Sequence, residues 1–258
     1  MTARASRIER YVAIGDSQTE GLNDFGDDGQ PRGWADRFAE ALAAHSPGLL
    51  YANLAVRGKR TAEVRQGQLE AALALEPDLA TVVCGVNDVV QPSVDVDGVA
   101  SDIEAMYETL TMAGCSVMGC TFPLPSAGLT RRAAPRLQAL NARLRPAAER
   151  HGVLLVDLEG VAMASDLRLW SSDRIHLNSD GHRRLAAAFE ATFTGGEDRR
   201  WMEPLPPAPT PSRPRRVVSE AAWIARFVLP KLVRVIRGKS SGDGRSAKRP
   251  ELGPTSRV

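Results

Sequence analysis

The chain has 258 residues, 43% of them apolar and 25% charged, an ordinary globular composition with enough length to bury a sizeable core. A formal net charge of +2 excludes a chain built as a whole for nucleic acid. No run approaches the roughly 18 apolar residues needed to span a membrane as a helix.

The three cysteines, Cys84, Cys115 and Cys120, lie in or beside apolar runs, which reads as buried reduced thiols. None stands at metal-ligand spacing to a histidine, and no cofactor is expected. Residues 1–10 lack the apolar stretch of a secretory signal, and an intracellular, cytoplasmic protein is the expectation.

A first strand is predicted at 11–14, where Tyr11-Val12-Ala13-Ile14 leads directly into Gly15-Asp16-Ser17. That order puts Ser17 in the turn leaving the strand. A helix at 33–44 and a second strand at 50–54 follow, then a loop holding Gly58 between Arg57 and the pair Lys59 and Arg60. A helix at 61–75 leads to a third strand at 79–84, which ends on Gly85-Val86-Asn87-Asp88. Helix 99–113, strand 116–121, helix 135–151 and strand 153–157 continue the alternation. The residues from Thr121 to Arg132, with Pro123 and Pro125, read as a pocket-lining loop. Asp173-Arg174-Ile175-His176 then precedes a helix at 179–193, which Ser179 is placed to cap. Apolar runs this continuous suit strands covered on both faces, and strands alternating with helices argue for βαβ units and a parallel sheet.

In such sheets ligands bind beyond the carboxyl ends of the strands. Ser17, Gly58 and Asn87 all follow strands and should share that edge. A serine hydroxyl is too weakly acidic to attack unaided at neutral pH and needs a base. Imidazole titrates in the right range, and a carboxylate three residues before His176 can hold its tautomer. His182, in the first turn of the last helix, has no carboxylate at that spacing and is read as structural. Asp16 and Asp88 are read as organisers of their turns. Arg57, Lys59 and Arg60 surround Gly58 and have two readings: contact with an anionic substrate such as a phospholipid or an acyl-CoA, carried by Arg57 and Lys59, or plain solvation of a charged loop.

Gly-Asp-Ser with Ser17, Gly58, Gly-x-Asn-Asp with Asn87, and Asp-x-x-His with Asp173 and His176, in this order, resemble the four blocks of the SGNH (GDSL-type) hydrolases. The resemblance spans roughly residues 8 to 195 and departs at Gln18, where the family name expects leucine. It implies a flavodoxin-like α/β/α sandwich on a five-stranded parallel sheet and metal-independent ester hydrolysis. Ser17, His176 and Asp173 would form the catalytic triad. The backbone N–H groups of Ser17 and Gly58 and the Asn87 side chain would form the oxyanion hole. The partner implied is a small ester of a lipid, a lysophospholipid or an acetylated sugar. The alternative is a non-catalytic adaptor that keeps the fold.

Four regions are expected: a hydrolase domain at 1–196, a proline-rich linker at 197–216, a basic amphipathic helix at 217–237 and a disordered terminus at 238–258. On the helix Val217, Ala221, Ile224, Val228, Leu232 and Val235 share one side and Arg226, Arg234 and Arg237 the other, with Pro230 placed to kink it. Trp223 and Phe227 are expected at the edge of a membrane surface. Peripheral contact at the inner membrane face, docking on the domain or on a second subunit through 217–237, and a partly disordered appendage are the readings for this stretch.

Overall fold

The computed structural model describes residues 7–27, 29–91, 93–125, 129–207, 213–230, 233 and 240–255. In chain order the elements are β1 (Arg10–Gly15), α1 (Ser17–Glu20), α2 (Gly33–His45), β2 (Leu50–Asn53), α3 (Thr61–Ala74), β3 (Leu79–Val83), α4 (Val86–Val89) and α5 (Val96–Met112). They continue with β4 (Ser116–Cys120), α6 (Ala134–Arg150), β5 (Leu154–Val156), α7 (Ser179–Thr194), α8 (Arg213–Trp223) and β6 (Arg249–Pro254).

The sheet order is β5-β4-β3-β1-β2-β6. β1 to β5 are parallel, and β6 runs antiparallel beside β2. The chain moves outward from β1 to β2, then crosses back over β1 to build β3, β4 and β5. Right-handed crossovers therefore send α2 to one face and α3, α5 and α6 to the other. The packing agrees: α5 lies between α3 and α6, while α7 covers α2. The fold is a three-layer α/β/α sandwich. Tyr11, Val12, Ala13 and Ile14 of β1 are fully buried, as the sheet's central position requires.

The reversal of direction between β1 and β3 opens a crevice at their carboxyl ends, the ligand site of open parallel sheets. Ser17 follows β1 and Asn87 follows β3, so the topology sets both at this switch point.

The chain differs from its sequence reading at several places; α7 is capped by Asn178, whose side chain accepts from Gly181 N–H at 3.0 Å, and not by Ser179, its first helical residue. The sheet has six strands, because Arg249–Pro254, inside the stretch expected to be disordered, pairs along β2 with a register shift between Tyr51 and Asn53. Lys248 anchors this strand: its Nζ donates to the carbonyls of Pro31 and Arg32 and meets the Asp36 carboxylate at 2.5 Å. Within 197–216, expected as linker, Trp201 is buried in a short helical turn, Arg200–Met202, and Arg184 donates to the Trp201 and Glu203 carbonyls. Finally, Trp223 turns inward rather than toward solvent. Val217's side chain, Leu232, Val235, Arg234 and Arg237 lie outside the described residues. Ahead of Pro230 the helix widens into a π turn, Ile224–Val228, with Leu229 N–H donating to the Ile224 carbonyl. A proline lacks the N–H to continue an α-helical ladder, and its ring crowds the carbonyl four residues back.

His182 is completely buried. Its Nδ1 accepts from the Trp34 backbone N–H at 3.1 Å, and its Nε2 donates to the Leu22 carbonyl at 3.1 Å. One nitrogen accepts and the other donates, so the imidazole is neutral. Burial lowers its pKa to about 4, against about 6.5 in an unfolded chain. Between these values the unfolded chain binds a proton that the folded one does not. Stability is thus complete above about pH 6.5 and falls by up to about 3 kcal/mol as the pH drops to 4. Urea midpoints measured from pH 7 to pH 4 should decline, and a His182→Gln variant should show a flatter profile. A wild-type midpoint constant over that window would contradict this.

Candidate active site

At the end of β1 the backbone of Gly15 passes so close to β3 that a Cβ there would lie 2.3 Å from the Val83 carbonyl oxygen. Only glycine permits that approach. Gln68, buried on α3, clamps the position by accepting from Gly15 N–H at 2.8 Å and donating to the Gly15 carbonyl at 2.9 Å. Asp16 caps the short α1, its carboxylate accepting from Gln18 N–H at 3.1 Å. Ser17 is thereby held as the first helical residue, nearly buried, with its hydroxyl 2.8 Å from His176 Nε2.

His176 Nδ1 lies 2.7 Å from Asp173 Oδ2. An ionised carboxylate only accepts, so Nδ1 carries the proton and Nε2 presents its lone pair to the Ser17 hydroxyl. Asp173 is held by four further donors: the Ser171 hydroxyl at 2.6 Å, the backbone N–H groups of Ile175 and His176 at 2.9 and 3.0 Å, and Asn23 Nδ2 at 2.9 Å. Burial by itself would raise its pKa. The hydrogen bonds and charge of His176, with help from Ser171, outweigh burial and hold the carboxyl well below the usual carboxylate range. Arg174 makes the tight turn between the two side chains, with φ at +57°.

Three residues of this network were not legible as site residues. Gln18 ties the Ser17 turn to the His176 loop by donating to the Ile175 carbonyl at 2.8 Å. Asn23 and Ser171 meet at Asp173 and at each other, 2.9 Å apart. No spacing rule connects them, because their meeting depends on the return of the chain from β5.

Asn87 Nδ2 donates to the Lys59 carbonyl at 2.9 Å and, at a longer 3.2 Å, to Asp16 Oδ2. It therefore bridges the Ser17 turn and the Gly58 loop. Gly58 adopts φ +78°, and its carbonyl accepts from the Ser240 hydroxyl at 3.2 Å. A Cβ on Gly58 would meet the Ser240 and Ser241 hydroxyls at 2.6 and 2.5 Å, so both the turn and the neighbouring C-terminal segment require glycine here. Asp88 accepts from the Thr61 N–H and hydroxyl at 3.0 and 2.9 Å, organising the same loop. The two cations beside Gly58 have carboxylate partners: Arg57 is paired with Glu20, and Lys59 lies 3.0 Å from Glu63. Both charges are offset by carboxylates of the flanking helices, Glu20 on α1 and Glu63 on α3.

A cavity of about 180 Å³ opens beside this chain of side chains, lined by Gln18, Val83, Phe122, Leu124, Ile175 and Trp201 among others. The walls are overwhelmingly apolar. Pro123 and Pro125 of the loop read as pocket-lining do line it; 126–128 lie outside the described residues. Cys120 also faces it, with its thiol pushed up to about 12 by burial, and such a thiol is not a nucleophile at neutral pH.

Beyond the loop stands α8. Trp223 Nε1 donates to the Asp173 carbonyl at 2.8 Å, and Arg174 lies over the Trp223 ring, 5.0 Å from its centre, while pairing with Glu220. The helix therefore grips the loop that carries Asp173 and His176. Among the described residues no group of three or more His, Cys, Asp or Glu is placed to hold a metal ion, and no helix is long and apolar enough to cross a membrane.

A hydroxyl, an imidazole and a carboxylate in one hydrogen-bonded line, at the switch point of a parallel α/β sheet and beside an apolar cavity, make this a candidate hydrolase site. The model of the GDSL-like lipase/acylhydrolase family matches residues 13–184. The chain belongs to that family and is an esterase acting on carboxylic esters. Among solved structures it is similar to LAE5, an α/β hydrolase enzyme from the metagenome of Lake Arreo, Spain, at 22% identity and a TM-score of 0.62, covering 72% of this chain and 94% of that one. A catalytic mutant of Axe2, an acetylxylan esterase from Geobacillus stearothermophilus, aligns at 19% identity and a TM-score of 0.61 over 72% of this chain and 94% of its own. TesA aligns at 21% identity and 0.60 over 72% and 98%. At these identities the structures establish the shared fold. No curated protein sequence matches this chain.

Proposed function

We propose that the enzyme hydrolyses esters of apolar acyl groups through an acyl-enzyme on Ser17. The hydrogen-bonded line from Ser17 through His176 to Asp173, opening onto an apolar cavity, carries this reading. As the Ser17 oxygen bonds to the ester carbonyl carbon, His176 Nε2 takes the hydroxyl proton. Asp173 keeps the imidazole oriented and offsets the charge it gains. The negative oxygen of the tetrahedral intermediate faces the Ser17 and Gly58 backbone N–H groups and the Asn87 amide, whose long bond to Asp16 is the one to yield. Collapse breaks the bond to the alcohol oxygen, which leaves with the proton from His176. A water molecule, deprotonated by His176, then attacks the acyl carbon; the carboxylic acid departs and Ser17 regains its proton.

The cavity supports a preference for acyl chains longer than acetate. Each methylene that enters contributes up to about 0.8 kcal/mol, roughly fourfold in kcat/KM. A series of p-nitrophenyl esters from acetate upward should therefore rise before it levels off, with a fluorophosphonate labelling Ser17. A profile highest at acetate would overturn the acyl assignment while leaving the esterase intact.

In this reading Trp223 positions Asp173 from outside the family's matched span. Trp223→Phe keeps the ring and removes the donor, an interaction of about 1 kcal/mol. The expected result is a fall in kcat of about threefold to tenfold at unchanged KM. A KM effect alone would assign Trp223 to substrate binding instead.

A further inference from the structure

The C-terminal helix has two faces with different fates. Its inner side, with Glu220 and Trp223, is committed to the Asp173–His176 loop. Its outer side carries Val218, Ala222, Ala225 and Leu229, all exposed and spaced by four, three and four residues, which aligns them as one stripe. Val218 is 68% exposed and Leu229 51%, and Val233 beyond them is exposed as well. Between Arg213 and Lys239 the sequence holds eight arginines and lysines against a single acidic residue, Glu220. That acid already faces Arg174 on the inner side, and the sequence of the segment carries a large net positive charge.

We propose that the outer face of this helix binds an anionic lipid bilayer. An apolar stripe on a helix within a strongly basic stretch of sequence is the pattern that lies in a membrane interface: the stripe enters the headgroup boundary and the cations meet acidic headgroups. Charge decides against other occupants. A second copy packed face to face would bring like charges together. A nucleic acid would satisfy the cations and leave the apolar stripe in water. Arg174 and Ile175, next to Trp223 on the gripped loop, also line the cavity, so binding in this orientation brings the cavity rim within about one helix diameter of the lipid surface.

The test uses the full-length chain as Ser17→Ala, so that no lipid is consumed, in co-sedimentation with vesicles of pure phosphatidylcholine or of phosphatidylcholine with one-third phosphatidylglycerol. The expected partition is at least tenfold higher on the anionic vesicles at low salt, and weaker as salt rises. Val218→Asp with Leu229→Asp should lower it about tenfold, and the milder Val218→Ser with Leu229→Ser should lower it less. The same pairs in an otherwise wild-type chain should hydrolyse a soluble short ester within twofold of normal, showing a folded enzyme. Equal binding to both vesicle types, no binding, or binding indifferent to the stripe substitutions would overturn the proposal. So would displacement by inorganic phosphate beyond that by sodium chloride of equal ionic strength, which would indicate a discrete anion site. A wild-type dimer in light scattering that the aspartate pair converts to a monomer would assign the face to a second copy. Sedimentation does not depend on catalysis, so its failure leaves the proposed reaction untouched.

Discussion

Replacing Ser17 by alanine should reduce kcat on a soluble p-nitrophenyl ester by about 10⁴-fold to 10⁶-fold, the range seen when a nucleophile is removed from such a unit. The fold has little reason to change. Ser17 is held through Gly15, Gln68 and the Asp16 cap, and its side chain contributes one hydrogen bond, to His176. Alanine is also a good residue for a helix start. The thermal midpoint should therefore stay within a few degrees of wild type while activity and fluorophosphonate labelling disappear together. Retention of more than a few per cent of the wild-type rate would sink Ser17 as the nucleophile.

Asp173→Asn should cost about 10⁴-fold in kcat, and the reason lies in hydrogen-bond direction. Asp173 accepts from five donors and gives to none. An asparagine has one oxygen and one N–H₂ group, so one set of donors must face an amide N–H. If the oxygen stays with Ser171 and the backbone N–H groups, the amide nitrogen points at His176 Nδ1. That ring nitrogen must then become an acceptor, and Nε2 turns a proton toward Ser17, which is the wrong tautomer for a base. The substitution also removes the charge that offsets imidazolium. Because the folded state holds the Asp173 pKa below its unfolded value, its ionised form stabilises the protein above the unfolded pKa, and this contribution is lost as acid protonates it. Asp173→Asn should accordingly lower stability at pH 7 while leaving less to lose in strong acid. A rate within tenfold of wild type would show that His176 does not depend on this carboxylate.

The readability of the two ends of the chain differs sharply. The strands and the longer helices around the site lie almost where apolar periodicity puts them, because each is strongly patterned and bounded by a turn residue, whereas the single turns α1 and α4 are too short to show a period. The β1 run Tyr11-Val12-Ala13-Ile14 can only be a strand buried on both faces. The four motif blocks could be ordered from sequence because each stands at the end of a predicted element. The supporting shell could not. Asn23 and Ser171 lie 148 residues apart, and nothing local in either segment announces the meeting. Arg57 shows the same limit from the other side: its pairing with Glu20, on another element, is visible only in the folded chain, whereas Lys59 meets Glu63 four residues on.

The C-terminal region misleads for a physical reason. Arg249–Pro254 contains two prolines and a glycine in a basic, Ser- and Gly-rich context, a composition that lacks the apolar area to fold alone. An edge strand tolerates proline where the missing N–H would face solvent, and β2 supplies the pairing partner. Trp223 shows the same dependence. On a helical wheel it belongs to a boundary between apolar and basic sides; in the protein it is drawn inward by a carbonyl that accepts its N–H and by the Arg174 guanidinium over its ring.

What the amino-acid order determines by itself is the alternation of strand and helix, the turn that sets Ser17 after β1, and the identity of the residues in the four blocks, since these rest on local periodicity and backbone sterics. What tertiary structure decides is the meeting of Ser17 with His176, 159 residues later, the donors that hold Asp173, the apolar cavity beside them and the use of the C-terminal segment as part of the sheet and as a support for the loop that carries Asp173. Those depend on distances between segments that no local interaction sets, and they appear only when burial of the sheet brings the segments together.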